Sequence, residues 1–152
     1  MATVYLGIGS NVGDRQGHIQ KAVALLRENL HIQVSAVSTL IETEPVGGEP
    51  QGKFLNGAVQ IQTDLMPNDL LLALKNIERR CGRQKAETNS PRTLDLDILL
   101  YDDIVIVEGK TLSIPHPRMA ERSFVLEPLA QIAAEVVHPR LQKTVRELLE
   151  GN

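Results

Sequence analysis

Two aspartates, Asp95 and Asp97, stand two residues apart inside "TLDLDILLY", the most apolar run of a 152-residue chain. In a strand, residues two apart share a face, so Asp95, Asp97 and Leu99 point one way while Leu94, Leu96 and Ile98 point the other. Neighbouring carboxylates repel, and partial burial costs several kcal/mol unless something positive lies between them. A divalent cation supplies that compensation. Hard oxygen ligands at this spacing suit Mg²⁺, which keeps several waters and meets proteins through one or two carboxylates plus substrate phosphates. Two such ions about 3.5–4 Å apart clamp the attacking and leaving oxygens of a phosphoryl transfer. A solvated acidic face on an edge strand gives the same D-x-D pattern, so spacing alone leaves both readings open.

The surrounding cations favour the metal. Arg83 and Lys85 precede the strand, Arg92 lies three residues before Asp95, and "PHPRMAER" (115–122) follows it. Arg118 and Arg122 are i and i+4, so on a helix they share a side, and the two prolines flanking His116 stiffen its approach. Arginine forks chelate phosphate oxygens, and their convergence beside two carboxylates is what an Mg·nucleotide site needs. Neither standard phosphate loop is present. "GIGSNVGDR" has Val12 where a G-x-G-x-x-G from Gly7 needs glycine, and "EGKT" has Ile104 where a P-loop needs its first glycine. His18, His31 and His138 have no ligand-spaced partners. Cys81 falls on an apolar helical stripe and reads as core.

The elements that must position these groups follow from periodicity. "TVYLGIG" (3–9) reads as a strand, and 15–30 as a helix with Ile19, Ala22, Val23, Leu26 and Leu30 at helical spacing and Asp14 as its N-cap. Strands follow at 32–43 and 54–63 around the Pro/Gly-rich loop 44–52. Pro67 opens a second helix with Leu70, Leu71, Leu74, Ile77 and Cys81 on one side, and Gly82 suits its left-handed end. A loop over 83–93 leads into the strand at 94–100. The order β-α-β-β-α-β is the ferredoxin-like α+β plan, an antiparallel sheet with its helices on one face. The remaining third, a hairpin-like 102–115 and helical stretches near 118–132 and 142–149, is too small to stand alone. It is expected to pack on the same core, within one domain over 1–152.

Composition bounds the function classes. The formal net charge of -3 argues against binding a nucleic-acid backbone. A lone cysteine, no leader segment and no apolar run near the ~20 residues of a membrane span point to a cytosolic protein away from membranes. Nothing demands a partner subunit, so a monomer is expected. With two Phe, two Tyr and no Trp, an exposed ring becomes a stacking candidate, and Phe54 and Phe124 are the two to follow.

"YLGIGSNVGDR", "ETEPVG", "FLNGAV", "PRTLDLDILLY" and "IPHPRMAERSFVLEPL", in this order over residues 5 to about 129, resemble the landmarks of the 6-hydroxymethyl-7,8-dihydropterin pyrophosphokinases of folate biosynthesis. The resemblance implies a ferredoxin-like α+β fold and transfer of pyrophosphate from Mg·ATP to the pterin hydroxymethyl oxygen, with release of AMP. It implies that Asp95 and Asp97 hold two Mg²⁺ ions, that Arg83 and Arg92 are catalytic-loop arginines, and that His116 and Arg122 contact the nucleotide phosphates. Ile98, Leu112 and Ser113 fall where the family places its adenine contacts. For the pterin, the resemblance implies Asn56 on its amide-like edge, the backbone of Thr43 and Val46 beside it, and Phe54 and Phe124 sandwiching the ring. In the loop "GRQKAETNSPR" the family's second and third arginines and its tryptophan are missing, with Lys85 the nearby cation and Asn89 in the Trp position. A ferredoxin-like binder of pterin and nucleotide without turnover, or a nucleotidyltransferase using the D-x-D pair, are the rival functions.

Overall fold

The computed structural model describes residues 1–44, 52–82, 93–108 and 112–152. Its main sheet is built from β1 (Ala2–Ser10), β2 (Ile32–Val37), β3 (Ile41–Thr43), β4 (Phe54–Thr63) and β5 (Asp95–Tyr101), in the order β2-β4-β1-β5 with β3 also on β4. The pairings are antiparallel. With α1 (Arg15–Glu28) after β1 and α2 (Pro67–Arg80) after β4, this is the split-βαβ arrangement expected from the element order.

One face of the sheet is a simple consequence of alternation. Val4, Leu6 and Ile8 of β1 and Val59 and Ile61 of β4 are buried against Ile19, Ala22 and Leu26 of α1 and Leu70, Leu74 and Ile77 of α2. Each such aliphatic side chain contributes about 1.5–3 kcal/mol on full burial. The helices start and stop where their residues dictate. The Asp14 side chain caps α1 by accepting from the Gly17 amide, and Pro67 opens α2. Past α2, Cys81 is buried and Gly82 takes a φ of +90°, the left-handed turn that glycine adopts without strain.

The C-terminal third departs from expectation in part. Its hairpin joins that core through Leu112 and Ile114, but the chain from Met119 onward makes a second one on the opposite face. There Tyr5, Ala58, Leu99 and Leu100 meet Met119, Leu126 and Leu129 from the segment leading into and through α3 (Ser123–Ala133), with Val145 and Leu148 of α4 (Val145–Glu150). The first face is already filled by α1 and α2, and Tyr5 and Ala58 would otherwise be left bare. A register shift between Tyr5 and Leu6 passes over Leu99, pairing Tyr5 with Leu100 and Leu6 with Ile98, which lets consecutive leucines both reach the second core. The short strands β6 (Ile106–Glu108) and β7 (Leu112–Ile114) form the hairpin read from 102–115, and β8 (Val137–His138) pairs with β9 (Lys143–Thr144) before the Thr144–Glu147 capping box of α4.

Candidate active site

On β5, Leu94, Leu96 and Ile98 enter the first core, so Asp95 and Asp97 face the other way, toward the side that carries α3. Asp95 is half-buried and Asp97 exposed. Register then decides what lies beside them. Asp95 pairs with Gly9 and Asp97 with Gly7 of β1, and on the far side of β1 Gly9 pairs with Asn56 and Gly7 with Ala58. Ile41 of β3 continues the first row next to Asn56. Two strand spacings of about 4.8 Å separate the carboxylate strand from the amide strand, roughly 10 Å between Asp95 and Asn56 backbones. Because β1 has glycine at both positions, with Tyr5 next along this face, no β1 side chain stands between the carboxylates and the amide, although the Leu99 side chain lies 3.5 Å from where a Gly7 β-carbon would be.

Gly9 has a second reason to be glycine. A β-carbon there would come within 2.6 Å of Asn56 Oδ1. The Asn56 amide is held in place by donating Nδ2–H to Thr43 Oγ1 at 2.8 Å. Thr43 in turn pairs with Phe54, and Phe54 and Asn56, two apart on β4, share a face. Phe124 lies in the first turn of α3, which packs over β4, and the Arg122 guanidinium stands 5.5 Å from the centre of its ring.

The PHP segment is brought to β5 through its backbone: the His116 amide donates to Leu99 O at 3.0 Å. Leu99 is two residues from Asp97, about 7 Å along the strand. His116 Nδ1 accepts from the Arg118 amide at 3.2 Å. Burial, then the charges of Arg122 and Arg118, push its pKa below the ordinary 6.5, so at neutral pH the ring is uncharged with its proton on Nε2. It is a hydrogen-bond donor rather than a cation. The two arginines are not an i, i+4 helical pair as read from spacing. Arg118 precedes and Arg122 follows a single 3₁₀ turn, Met119–Glu121, and Arg122 then leads into α3. Tight 3₁₀ geometry fits where the chain must turn from β7 into α3.

Of the remaining expected residues, Ile98 and Leu112 are buried in the first core, on the side of β5 opposite the carboxylates, and Ser113 is half-buried on β7 opposite Val107. Val46, Arg83, Lys85 and Arg92 lie outside the described residues. A pocket of about 330 Å³ opens between Pro115, His116, Pro117 and the His138–Leu141 turn, with neither aspartate in its wall.

Sequence reading missed three contributors. Gly7 and Gly9 were weighed only as a failed dinucleotide loop, although alternate glycines in a strand already signal a bare face. Glu78, buried at 6% exposure on the apolar side of α2, accepts the Leu96 amide at 2.8 Å. It satisfies an outward N–H of edge strand β5 between the two aspartates and so fixes the strand that carries them. A lone carboxylate within a helix's leucine stripe was the available signal.

Among the described residues there is no group of three or more His, Cys, Asp or Glu placed to hold a metal, so what they offer is two carboxylate arms. That donor set fits Mg²⁺, whose other positions are filled by water and phosphate, and does not fit a caged structural ion.

Residues 5–134 match the family described as 7,8-dihydro-6-hydroxymethylpterin-pyrophosphokinase. The chain is 45% identical over 152 residues to the 2-amino-4-hydroxy-6-hydroxymethyldihydropteridine pyrophosphokinase of Aquifex aeolicus, covering all of this chain and 93% of that one. It is 48% identical over 132 residues to the protein of the same name from Bacillus subtilis, covering 87% and 78% of the two. Among solved structures it is similar to the HPPK-DHPS of Plasmodium falciparum with pteroate, with a TM-score of 0.77 at 16% identity. That likeness, which concerns the fold, spans 99% of this chain and 44% of the longer one.

Proposed function

The chain belongs to the 7,8-dihydro-6-hydroxymethylpterin-pyrophosphokinase family, and from that premise we propose how its residues divide the work. It transfers the pyrophosphoryl group of ATP to the hydroxymethyl oxygen of the reduced pterin, a step of folate biosynthesis that leaves AMP. The observation supporting the assignment of roles is the register of β5, β1 and β4: Asp95 stands opposite Gly9 and Asp97 opposite Gly7, so no β1 side chain separates the carboxylates from Asn56.

Asp95 and Asp97 would hold two Mg²⁺ ions, which would supply positive charge to the ATP phosphates and to the charge that develops during transfer. Asn56, oriented by Thr43, reads the pterin's amide-like edge together with the backbone of Thr43 and Val46, since one carboxamide can donate and accept on a single edge. Phe54 and Phe124 stack on the two faces of the bicycle, placing the hydroxymethyl group toward the aspartates for in-line attack on the β-phosphorus. His116 donates Nε2–H to a phosphate oxygen without adding charge, and Arg122, held over the Phe124 ring, supplies the cation. Arg83 and Arg92, which precede β5 in sequence, add further cations to the same phosphates. Ile98, Leu112 and Ser113 border the adenine. A monomer acting in the cytosol completes the proposal; among the described residues no helix is long and apolar enough to cross a membrane.

The count of ions is tested by varying free Mg²⁺ at a fixed concentration of Mg·ATP. Two ions predict continued activation after ATP is fully complexed, with a second, weaker binding step. A rate that tracks Mg·ATP alone would leave room for only one.

A further inference from the structure

The pterin-side residues sit at the end of a short two-stranded stem, β3 against β4. β3 is three residues long and makes three register pairs with β4, of which Thr43 opposite Phe54 is the last. Terminal pairs of so short a strand open readily on their own. Arg15, the first residue of α1, closes them from outside the sheet. Its Nη1 donates to the Lys53 carbonyl at 2.8 Å and its Nη2 to Glu42 Oε2 at 3.1 Å. One planar fork thus grips the residue before Thr43 on one arm and the residue before Phe54 on the other. Asn11, 6% exposed at the end of β1, adds a donor one residue further out, Nδ2 to the Gly52 carbonyl at 3.3 Å.

The anchor is firm because α1 is. Ile19, Ala22 and Leu26 fix that helix in the first core, so the fork is mounted on a rigid element rather than on another loop. Lys53 also approaches Glu42 and Glu44, at 3.9 and 3.4 Å, but its own side chain is 53% exposed and theirs 48% and 77%. Such pairs add little, and a lysine ammonium lacks the two-pronged geometry that lets an arginine hold two acceptors at once.

We propose that Arg15, seconded by Asn11, is a positioning residue for pterin recognition: it holds the stem in the conformation that sets Thr43, Asn56 and Phe54 in register. This rests on the assignment of those three residues to the pterin. The consequence is selective. A stem that is competent only about a tenth of the time raises the apparent pterin Kd about tenfold, because the observed constant is the intrinsic one divided by the competent fraction. The nucleotide side, built on β5, β7 and the segment before α3, does not share the stem.

The test compares wild type, Arg15→Ala and Arg15→Lys by initial rates, varying each substrate at saturation of the other. Arg15→Ala should raise the pterin KM roughly five- to tenfold, with kcat and the ATP KM within about twofold of wild type, the pattern of lost ground-state positioning. Arg15→Lys, one prong instead of two, should fall between. If Arg15→Ala does not fold, the lysine variant carries the test, with an expected pterin KM two- to threefold above wild type. An unchanged pterin KM, or an ATP KM that rises by the same factor, overturns the proposal. Wild-type enzyme that forms AMP but whose pterin KM is indifferent to Asn56→Ala would instead overturn the pterin assignment on which it rests.

Discussion

Replacing Asp97 by alanine is expected to lower kcat about a thousandfold or more while the protein folds as before. The size follows from what the carboxylate does. Charge stabilisation by a positioned divalent ion contributes several kcal/mol to a phosphoryl-transfer barrier, and about 4 kcal/mol is a factor of a thousand in rate. The sparing of the fold follows from where it lies. Asp97 is exposed and shares a strand face with another carboxylate two residues away, so its removal also removes repulsion. The stability change should stay within about 1 kcal/mol, the range of interactions made by an exposed charge. Steady-state rates together with a thermal melt separate the two effects. A variant with wild-type turnover would mean that the D-x-D pair is an ordinary acidic face.

The second large effect is expected from one methyl group. Gly9→Ala places a β-carbon 2.6 Å from Asn56 Oδ1, well inside contact distance. The atom struck is the end of a side chain, so the sheet survives and the amide swings away, giving up its 2.8 Å bond to Thr43. Losing a positioned amide in a partly buried site costs about 1–3 kcal/mol, or roughly 5- to 150-fold in kcat/KM for the pterin. The ATP KM should hardly move. Because both changes act through one amide, Asn56→Ala and Gly9→Ala should not add: the double variant should be about as impaired as Asn56→Ala alone. Additive losses would show that Gly9 matters for some other reason.

These two residues also show what could be read before the structure. That Asp95 and Asp97 share the face opposite Leu94, Leu96 and Ile98 was legible because a strand's period of two is strict. Gly9 was just as visible in "GIGSN", but its meaning depends on β1 lying between β5 and β4, and pairing partners are not encoded in any local window. The hairpin joined the expected core through Leu112 and Ile114, but the placement of the last helices was misjudged for a related reason. The pattern of Leu126, Leu129 and Ala133 says that a helix face is buried without saying against what, and the other side of the sheet, marked by Tyr5, Ala58 and Leu99, took it. Spacing likewise put Arg118 and Arg122 on one helix. The chain instead spends those residues on a 3₁₀ turn, and what they share is not a helical face but His116, whose pKa burial lowers first and the two arginines' charges lower further. Arg15 was hardest to find, since an arginine at the start of a helix looks like surface, and its fork is apparent only once Glu42 and Lys53 are neighbours.

The most direct test of the whole account is an analysis of products. Purified protein is given ATP, Mg²⁺ and 6-hydroxymethyl-7,8-dihydropterin, and the nucleotide and pterin products are followed together. A pyrophosphokinase working through the Asp95–Asp97 pair forms AMP and pterin pyrophosphate in a one-to-one ratio, only when pterin and Mg²⁺ are both present. Release of free pyrophosphate, or saturable binding of both substrates with no AMP formed, would contradict it.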